Sequence, residues 1–443
     1  MSQRVADTSG STIVHRGVGA FHRAHQAWYT HRASTEHDPW SIVAFTGRSP
    51  AQARLLEASG GCYTLVTRGP EGDAIDRISS IRSAHDGRDR RTFERVVADP
   101  SATLLTLTIT EAGYRTDARG RLDLNAGDIV ADLRAARADR SAPLATAPVR
   151  LAAALAARRQ TDAGPMTIIS CDNLPANGAV TRAVVLAAAA ELDPDLPEWI
   201  DEHVAFLSSM VDRITPRTRP EDVDAVQRAA GIRDEATVVT EPFSEWIIEA
   251  GFVAAAPALE RVGVRVTTDL GPFEERKLRI LNGAHSLLAY RGLLAGHEHV
   301  HEAFADREIR DVVEQYWAAA ASSCTLPPAE LGAAIEATRQ RFANPRIRHA
   351  LSQIALDGGL KLRHRVVPVL AHALAAGDPT AAPASAIAAW MLQNPSTHDP
   401  LDVLLVGASD DADAAMRAAI EQQFRRLGEM FARASARVGG VRS

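Results

Sequence analysis

The chain has 443 residues, of which 46% are hydrophobic and 23% are charged, and its formal net charge at pH 7 is −6. This length exceeds what one hydrophobic core usually serves and indicates two domains, while the lack of a strong basic field argues against nucleic acid as a partner. No uncharged apolar run reaches the roughly 18 residues of a membrane span, and three scattered cysteines fit a reducing compartment. The first residues also lack the apolar core of a signal peptide, so we expect a cytoplasmic globular protein.

The first predicted strand, residues 12–16, runs into Gly17-Val18-Gly19-Ala20-Phe21 and then into a helix. Glycines let a backbone approach a pyrophosphate, and a helix N-terminus offers free N–H groups and the positive end of its dipole. His22 stands where a complete dinucleotide fingerprint has its third glycine. The segment predicts a dinucleotide-binding loop, and an ordinary Gly-x-Gly turn is the alternative.

A second predicted strand, residues 40–48, follows at the distance where a dinucleotide fold meets the adenosine ribose. An acidic residue at its end would favour the free 2′-hydroxyl, but the sequence has Thr46, Gly47 and Arg48. Arg48 is either a partner for a 2′-phosphate or a solvated arginine at a strand end. The choice between NAD and NADP therefore stays open.

The remaining N-terminal elements alternate between strands and helices. Strands are predicted at residues 62–67, 77–82, 103–110, 165–172, 237–243 and 262–266, and helices near 91–98, at 144–160, from Gly178 to about 192, and at 220–230. This alternation predicts an α/β domain with a parallel, doubly wound sheet. From Pro272 onward the sequence is almost wholly helical, which predicts domains at residues 1–268 and 269–443.

Polar residues follow two of the predicted strands. Glu111 comes directly after the strand at 103–110, at the carboxyl end where α/β sheets bind ligands, although it equally fits a turn cap. Asn173 and Asn177 follow the strand at 165–172. Such residues either cap the next helix or offer amides to a ligand, and capping fits Asn177 better than Asn173.

A predicted helix carries an arc of polar residues on a mostly apolar sequence. At about 100° per residue from Lys277, Glu274 falls near 60°, His285 near 80° and Asn282 near 140°. Lys277 and His285 are roughly 12 Å apart along such a helix. The arc suits an elongated polar ligand, and a surface helix with solvated side chains is the alternative.

Two further segments carry titratable clusters. His297-Glu298-His299-Val300-His301 formally matches the zinc-peptidase pattern H-E-x-x-H, but it falls at the predicted start of a helix at 298–318 rather than inside one. We expect a solvated helix start there, with a zinc hydrolase as the remote alternative. Lys361, Arg363 and Arg365 follow a Gly-Gly pair and predict a site for a carboxylate or phosphate, or else a solvated helix end.

Several motifs together resemble the mannitol dehydrogenase family of polyol-specific, long-chain dehydrogenases and reductases. They occur in family order at residues 17–26, 108–114, 170–178, 211–216, 240–243 and, as Lys-x4-Asn-x2-His, 277–285. The resemblance implies an N-terminal Rossmann-type domain, a mostly helical substrate-binding and catalytic C-terminal domain, and metal-independent hydride exchange with a nicotinamide. It favours NAD over NADP, with a small-molecule substrate and a monomer or small homo-oligomer.

The resemblance also assigns roles to individual residues. Lys277 matches the catalytic lysine, whose free pKa of about 10.4 must fall to suit a general base. Asn173 and Asn282 match the asparagines that hold the developing alkoxide, and His285 matches the histidine that hydrogen-bonds the substrate. Glu274 matches a glutamate that relays protons. The expected cofactor-binding residues are Gly17, Val18, Gly19, Ala20, Phe21, Arg48, Glu111 and Asp212.

The substrate is less well determined by the sequence. Mannitol-type members have an arginine eight residues before the lysine that matches Lys361, but here that position is Gln353. The segment looks more like the mannonate/fructuronate branch, in which Arg363 and Arg365 would bind a uronate carboxylate, although they could equally bind a phosphate; Lys361 is predicted to bind the substrate with them. A mannitol-1-phosphate dehydrogenase, or a non-catalytic sugar or nucleotide sensor on the same fold, are the alternatives.

Overall fold

The computed structural model describes residues 10–47, 49–117, 119–139, 141–394, 400–405 and 409–439. The chain forms two compact units, residues 1–270 and 271–443. Arg48, which the sequence proposed as a 2′-phosphate partner, lies outside the described residues.

The first unit alternates strands and helices along the chain. Its strands are β1 Ser11–Arg16, β2 Trp40–Phe45, β3 Tyr63–Arg68, β4 Asp73–Ile78, β5 Ile81–His85, β6 Ala102–Leu107, β7 Met166–Ser170, β8 Val204–Leu207, β9 Ser209–Asp212, β10 Val238–Thr240, β11 Glu245–Glu249 and β12 Arg265–Thr267. Its helices are α1 Ala20–Ala24, α2 Gln26–Ala33, α3 Ala51–Ala58, α4 Arg90–Val97, α5 Gly127–Ala138, α6 Ala147–Thr161, α7 Asn177–Leu192, α8 Leu196–His203 and α9 Pro220–Ala230.

Six strands form one parallel sheet in the order β5-β2-β1-β6-β7-β8. Numbered along the chain within this sheet, the order is 3-2-1-4-5-6, the doubly wound arrangement in which strand order reverses beside the first strand. The strands are nearly continuous apolar runs because helices cover both faces of such a sheet. The predicted α/β fold class is confirmed.

The strand predicted at 77–82 is wrong, because the chain makes two strands there. β4 pairs antiparallel with β3 in a three-stranded sheet of order β10-β3-β4, whereas β5 joins the parallel sheet beside β2. The chain changes sheets at Ser79-Ser80, where the Ser80 hydroxyl donates to the carbonyl of Ala27 at 2.7 Å. A third sheet has the order β12-β11-β9.

The second unit is helical. Its helices are α10 Gly271–Arg276, α11 Gly283–Leu294, α12 Val300–Ala305, α13 Arg307–Ser322, α14 Pro328–Ala343, α15 Leu351–Ile354, α16 Gly358–Arg365, α17 Val367–Ala376, α18 Ala381–Gln393, α19 Pro400–Leu404 and α20 Asp410–Gly439, and a π-helical segment, Lys277–Asn282, joins α10 to α11. α11 is buried on nearly every side and forms the centre of the hydrophobic core. Within the described part of the chain, no helix has the length and apolarity that crossing a bilayer requires.

Candidate active site

The glycine loop after β1 has a shape that requires glycine. Gly17 has a φ of 106°, and a Cβ placed on it would lie 2.0 Å from the carbonyl oxygen of Thr108. The Gly17 and Val18 N–H groups donate to the carbonyl of Phe45 at 2.8 and 3.0 Å, which ties the loop to the end of β2. Among the described residues, the N-cap of α1 is Gly19 and it makes no side-chain capping bond.

His22 takes the place of the third fingerprint glycine, whose usual role is to allow close packing of helix on strand. Its ring stacks on that of His15 in β1, with the ring centroids 3.4 Å apart. The Thr108 hydroxyl donates to the Gly17 carbonyl at 2.9 Å, so His15 Nε2, 3.1 Å away, carries a proton and donates to Thr108. Burial lowers the pKa of His15 to about 3 and that of His22 well below its usual range, so both rings are neutral.

The end of β2 carries no acidic side chain for a ribose. The Thr46 hydroxyl accepts from the Gly87 N–H at 2.8 Å and is buried. The Arg16 guanidinium covers the same place, since its Nη1 donates to the carbonyls of Thr46 and Gly87 at 3.0 and 3.1 Å. The carboxyl ends of β1, β2 and β5 therefore meet at an arginine.

Asp172, just after β7, holds the loop that carries Glu111. Its carboxylate accepts from the N–H groups of Ile109 and Thr110 at 3.1 and 2.7 Å and from the Tyr114 hydroxyl at 2.7 Å. Burial raises the pKa of the Asp172 carboxyl, and these hydrogen bonds partly lower it again. Glu111 consequently begins a short 3₁₀ turn beyond β6. The sequence prediction missed Asp172, although its position at a strand end was a usable signal.

The prediction that Asn177 caps α7 is wrong. Its side chain makes no capping bond, and the N-cap is Ala176. Instead, Nδ2 donates to the carbonyls of Asp172 and Ser209 at 2.8 Å each, and Oδ1 accepts from the Ser209 N–H at 3.0 Å. Asn177 thus joins β7 to β9 and fixes the loop that presents the exposed Asn173.

Asp212 ends β9, where it pairs with Glu245 of β11. The next residue, Arg213, donates to the carbonyl of Ala24 at the end of α1 and stacks 4.5 Å from the Trp28 ring centroid. This contact brings the end of β9 beside the helix that follows the glycine loop.

In the second unit, the prediction of one regular α-helix across 274–285 is wrong between Lys277 and Asn282, where the chain is π-helical. A π-helix bonds i to i+5, so its wider turn changes the angles expected from an α-helix. Two side chains of α13 donate to backbone carbonyls of this turn. The Tyr316 hydroxyl donates to the Arg279 carbonyl at 3.0 Å, and Trp317 Nε1 donates to the Ile280 carbonyl at 3.1 Å. The Tyr316 oxygen also lies 1.9 Å from where a Cβ on Gly283 would stand, so a larger residue would clash there.

The segment that begins at Lys277 ends in two buried polar atoms with open hydrogen-bonding capacity. Asn282 Nδ2 and His285 Nε2 have no hydrogen-bond partner among the described residues. Native proteins pair nearly all such atoms, so each of these two calls for an explanation, and a hydrogen-bonding ligand group would supply one. Lys277, which begins the segment, and Glu274, which precedes it in α10, are half-buried.

His349, Arg341 and Arg365 lie close enough to His285 to act on its pKa, and the sequence prediction did not include His349 or Arg341 among the site residues. His349 packs edge-on against it with ring centroids 5.1 Å apart. Burial, then the positive fields of His349, Arg341 and Arg365, lower the pKa of His285 well below its usual range. Burial and Arg341 lower the pKa of His349 to about 4.

Of the three predicted substrate-binding cations on α16, helical spacing puts Lys361 and Arg365 on one face and Arg363 on another. Arg365 Nη1 donates to the Ser286 hydroxyl at 3.4 Å, and Ser286 donates to the carbonyl of Asn282 at 3.0 Å. Arg365 is thus linked to the helix that carries Asn282.

The zinc-peptidase geometry does not form at 297–301. α12 begins at Val300, so His297 precedes the helix and cannot share a helical face with His301. Glu302 accepts from the N–H groups of Glu298 and His299 at 2.9 and 3.0 Å, which makes the segment a helix cap. In the described ranges, no three His, Cys, Asp or Glu side chains are grouped as a metal site would require.

One sequence signal for the site went unused. Only two of the 49 Lys and Arg residues are lysines, Lys277 and Lys361. Because arginine carries the positive charge almost everywhere else, a lysine at either position indicates a need for a point charge or a titratable amine.

A parallel sheet of this order with a glycine loop after its first strand defines a dinucleotide-binding domain. A family model described as the mannitol dehydrogenase Rossmann domain matches residues 11–261, and one described as the mannitol dehydrogenase C-terminal domain matches residues 269–422. The chain belongs to the mannitol dehydrogenase family and is an oxidoreductase, which confirms the resemblance drawn from the motifs.

Known relatives align along most of their length. D-arabinitol 4-dehydrogenase of Ralstonia nicotianae is 39% identical over 379 residues, which cover 83% of this chain and 80% of the relative. D-mannonate oxidoreductase of Escherichia coli is 37% identical over 397 residues, or 86% of this chain and 79% of the relative. Mannitol 2-dehydrogenase of Pseudomonas fluorescens, solved with NAD and D-mannitol, superposes with a TM-score of 0.83 at 32% identity, covering 96% of this chain and 93% of that one.

Proposed function

We propose that the protein interconverts a secondary alcohol of an aldonate or sugar alcohol with the corresponding ketouronate or ketose, using a nicotinamide dinucleotide. The observation that supports this proposal most directly is that two buried atoms shortly after Lys277, Asn282 Nδ2 and His285 Nε2, have no hydrogen-bond partner among the described residues. A secondary alcohol that loses a hydride must also lose a proton, and these groups supply a base and hydrogen-bond donors for its oxygen.

Each residue has a proposed part in this step. Lys277 takes the hydroxyl proton during oxidation and returns it during reduction, and Glu274 passes it to solvent. Asn282 donates to the developing alkoxide, a role the resemblance also gives to Asn173. Neutral His285 hydrogen-bonds the substrate. A bound nicotinamide supplies the hydride acceptor or donor, and no step of the proposal needs a metal ion.

The glycine loop fits a dinucleotide. The Gly17–Thr108 contact leaves no room for a side chain, and the uncapped start of α1 leaves backbone donors for a pyrophosphate. Residues 17–21, Glu111 and Asp212 are proposed to hold the cofactor, as the resemblance implies. NAD is the expected cofactor because the related mannitol 2-dehydrogenase was solved with it.

The charges near His285 favour an anionic substrate. Arg341 and Arg365 both act on this ring, and guanidinium groups bind carboxylates well. Lys361 and Arg365 share one face of α16 and are proposed to reach the same substrate carboxylate. Arg363 lies on another face of α16 and is proposed to contact the substrate from there. The mannonate/fructuronate type is therefore favoured over the mannitol/fructose type, in keeping with the D-mannonate oxidoreductase relative.

A substrate panel tests this choice. NADH and NADPH oxidation would be followed with fructuronate, fructose, fructose 6-phosphate and xylulose. We expect the highest kcat/KM with fructuronate. A preference for fructose would remove the carboxylate role, and a preference for fructose 6-phosphate would support the mannitol-1-phosphate alternative instead.

The scarcity of lysine makes the proposed base directly measurable. Labelling with [¹³C]lysine gives signals from Lys277 and Lys361 only, and Lys361→Arg leaves a single signal. We expect Lys277 to titrate below the free value of about 10.4. Lys277→Ala should lower kcat by about 10² to 10⁴, the usual contribution of a general base, while dinucleotide affinity stays near that of the wild type. Normal turnover by Lys277→Ala would refute the mechanism. A wild-type protein that binds dinucleotide but turns over none of the substrates would indicate a sensor.

A further inference from the structure

Buried arginines in the first unit are of two kinds, and the first kind is structural. Arg158 is fully buried, and all three of its nitrogens donate to backbone carbonyls. The acceptors are Val97, Ala102, Ala163, Gly164 and Pro165, at 2.6 to 3.1 Å. Such an arginine has all its donors satisfied and needs no ligand.

Arg16 and Arg150 are of the other kind. Both are only 4% exposed, and the Nε of each has no hydrogen-bond partner among the described residues. Arg16 donates through Nη1 to the carbonyls of Thr46 and Gly87. A buried guanidinium with an unpartnered N–H loses hydration without full replacement, and a ligand in this position would restore the missing hydrogen bond.

The two arginines also repel each other. Burial and then the charge of Arg150 lower the pKa of Arg16 to about 9, and burial lowers that of Arg150 to about 10. Arg150 lies in the first turn of α6, where the helix dipole disfavours a cation. Two positive charges so placed attract an anion, while the carboxylates of Asp86 and Asp132 offset part of their field.

The neighbouring carboxylates are already engaged. Asp86 accepts from the backbone N–H, Nε and Nη2 of Arg88 at 2.9 to 3.3 Å. Asp132 accepts from the N–H groups of Ala145 and Thr146 and from the Thr146 hydroxyl. Neither carboxylate forms an ion pair with Arg16 or Arg150 among the described residues.

The location indicates which anion would fit. Arg16 covers the carboxyl ends of β2 and β5, in the half of a 3-2-1-4-5-6 sheet that receives the adenosine ribose of a dinucleotide. NAD-binding members of this fold place an acidic residue at the end of the second strand for the 2′-hydroxyl. Here Thr46 is buried and accepts from the Gly87 N–H, and Arg16 donates to the Thr46 carbonyl.

We propose that Arg16 and Arg150 form a subsite for the 2′-phosphate of NADP, so that this chain accepts NADP as well as NAD. The inference rests on the proposed use of a dinucleotide and extends it to the cofactor's second phosphate. The unpartnered Nε–H groups of Arg16 and Arg150, with their two positive charges, suit the oxygens of a phosphate.

Binding to the intact protein tests this without any turnover. Isothermal titration calorimetry would compare 2′,5′-ADP with 5′-AMP and NADP⁺ with NAD⁺. We expect 2′,5′-ADP to bind at least tenfold more tightly than 5′-AMP, with the difference shrinking as salt is raised. Equal affinity for the two nucleotides would overturn the proposal in the wild-type protein itself.

Variants then locate the effect. Arg16→Leu and Arg150→Leu should each weaken NADP⁺ at least tenfold and change NAD⁺ less than about twofold, while Arg16→Lys keeps part of the NADP⁺ affinity because it keeps the charge. Arg291→Leu is the matched control, since Arg291 is also buried with an unpartnered Nε but belongs to the second unit. It should leave both affinities unchanged.

The outcomes separate this inference from the proposed function. If Arg16→Leu weakens NAD⁺ and NADP⁺ equally, Arg16 only ties the strand ends together and the subsite is refuted. If inorganic phosphate binds in an Arg16-dependent manner but 2′,5′-ADP is no better than 5′-AMP, the site takes a free anion and the proposal is wrong. Binding of NAD⁺ alone removes the subsite and leaves the proposed function standing, whereas binding of neither dinucleotide removes both.

Discussion

Two asparagines allow catalytic and structural roles to be separated by a matched pair of substitutions. Asn177 is fully buried and makes three hydrogen bonds, to Asp172 and twice to Ser209, at 2.8 to 3.0 Å. Asn282 has a buried Nδ2 with no partner among the described residues. Asn177→Ala and Asn282→Ala remove the same atoms from opposite environments.

The expected magnitudes differ in sign and in kind. For Asn177→Ala, three lost hydrogen bonds at about 1 kcal/mol each, plus buried partners left unsatisfied, should lower the free energy of unfolding by about 3 to 5 kcal/mol. Asn282→Ala loses no bond at Nδ2 and gains up to about 0.7 kcal/mol in helix propensity, so stability should change by less than about 1 kcal/mol. Its kcat should nevertheless fall by about 10² to 10³, the typical effect of removing one oxyanion donor.

The assay pairs thermal unfolding with steady-state kinetics on the preferred substrate of the panel. Asn177→Ala should unfold several degrees earlier, with any loss of kcat recovered at lower temperature. Asn282→Ala should unfold at the wild-type temperature and stay slow at every temperature. Normal turnover by Asn282→Ala, or a destabilisation as large as that of Asn177→Ala, would contradict these roles.

Two further predictions concern the glycine loop and pH. Gly17→Ala should cost more than about 3 kcal/mol of stability, because its Cβ would lie 2.0 Å from the Thr108 carbonyl oxygen and the backbone φ is 106°. Gly19→Ala, whose Cβ would have its nearest atom 3.8 Å away, should cost under about 1 kcal/mol and weaken only dinucleotide binding. Equal unfolding temperatures of the two variants would contradict this. His349 has its pKa lowered from 6.5 to about 4, so the unfolded chain binds the extra proton between these values and stability falls as pH drops through that window. The loss is about 3 kcal/mol for this group at most, and His349→Gln should flatten that part of the stability–pH curve measured by denaturant unfolding.

The sequence predicted those features that local pattern determines. Strand runs rich in β-branched residues gave the parallel sheet, and the glycine loop was located because its residue types are required by backbone geometry. The motif series identified the family. Glu111 and Asn173 were placed at strand ends because parallel strands carry their ligand residues there.

What the sequence could not predict depends on distant partners. The π-helical turn is associated with Tyr316 and Trp317, which bond to its carbonyls from another helix. His349 reaches His285 across 64 positions only through the packing of the second unit, and no periodicity reports such a contact. Asn177 looked like a helix cap because capping is a local rule, and its strand-joining bonds to Ser209 are not local.

An unpartnered buried atom alone does not identify a site. Both ring nitrogens of His22 are unpartnered among the described residues, yet that ring is wholly enclosed and stacked on His15, so packing accounts for it. Asn282 differs because it ends the π-helical segment, whose hydrogen-bond pattern is altered and whose first residue is one of only two lysines, and His285 lies three residues further on in α11. Unsatisfied polar groups cost folding free energy, so each one that a structure retains calls for a cause, and a ligand is one such cause. The same reasoning applies to Arg16, whose charge adds a preference for the kind of ligand.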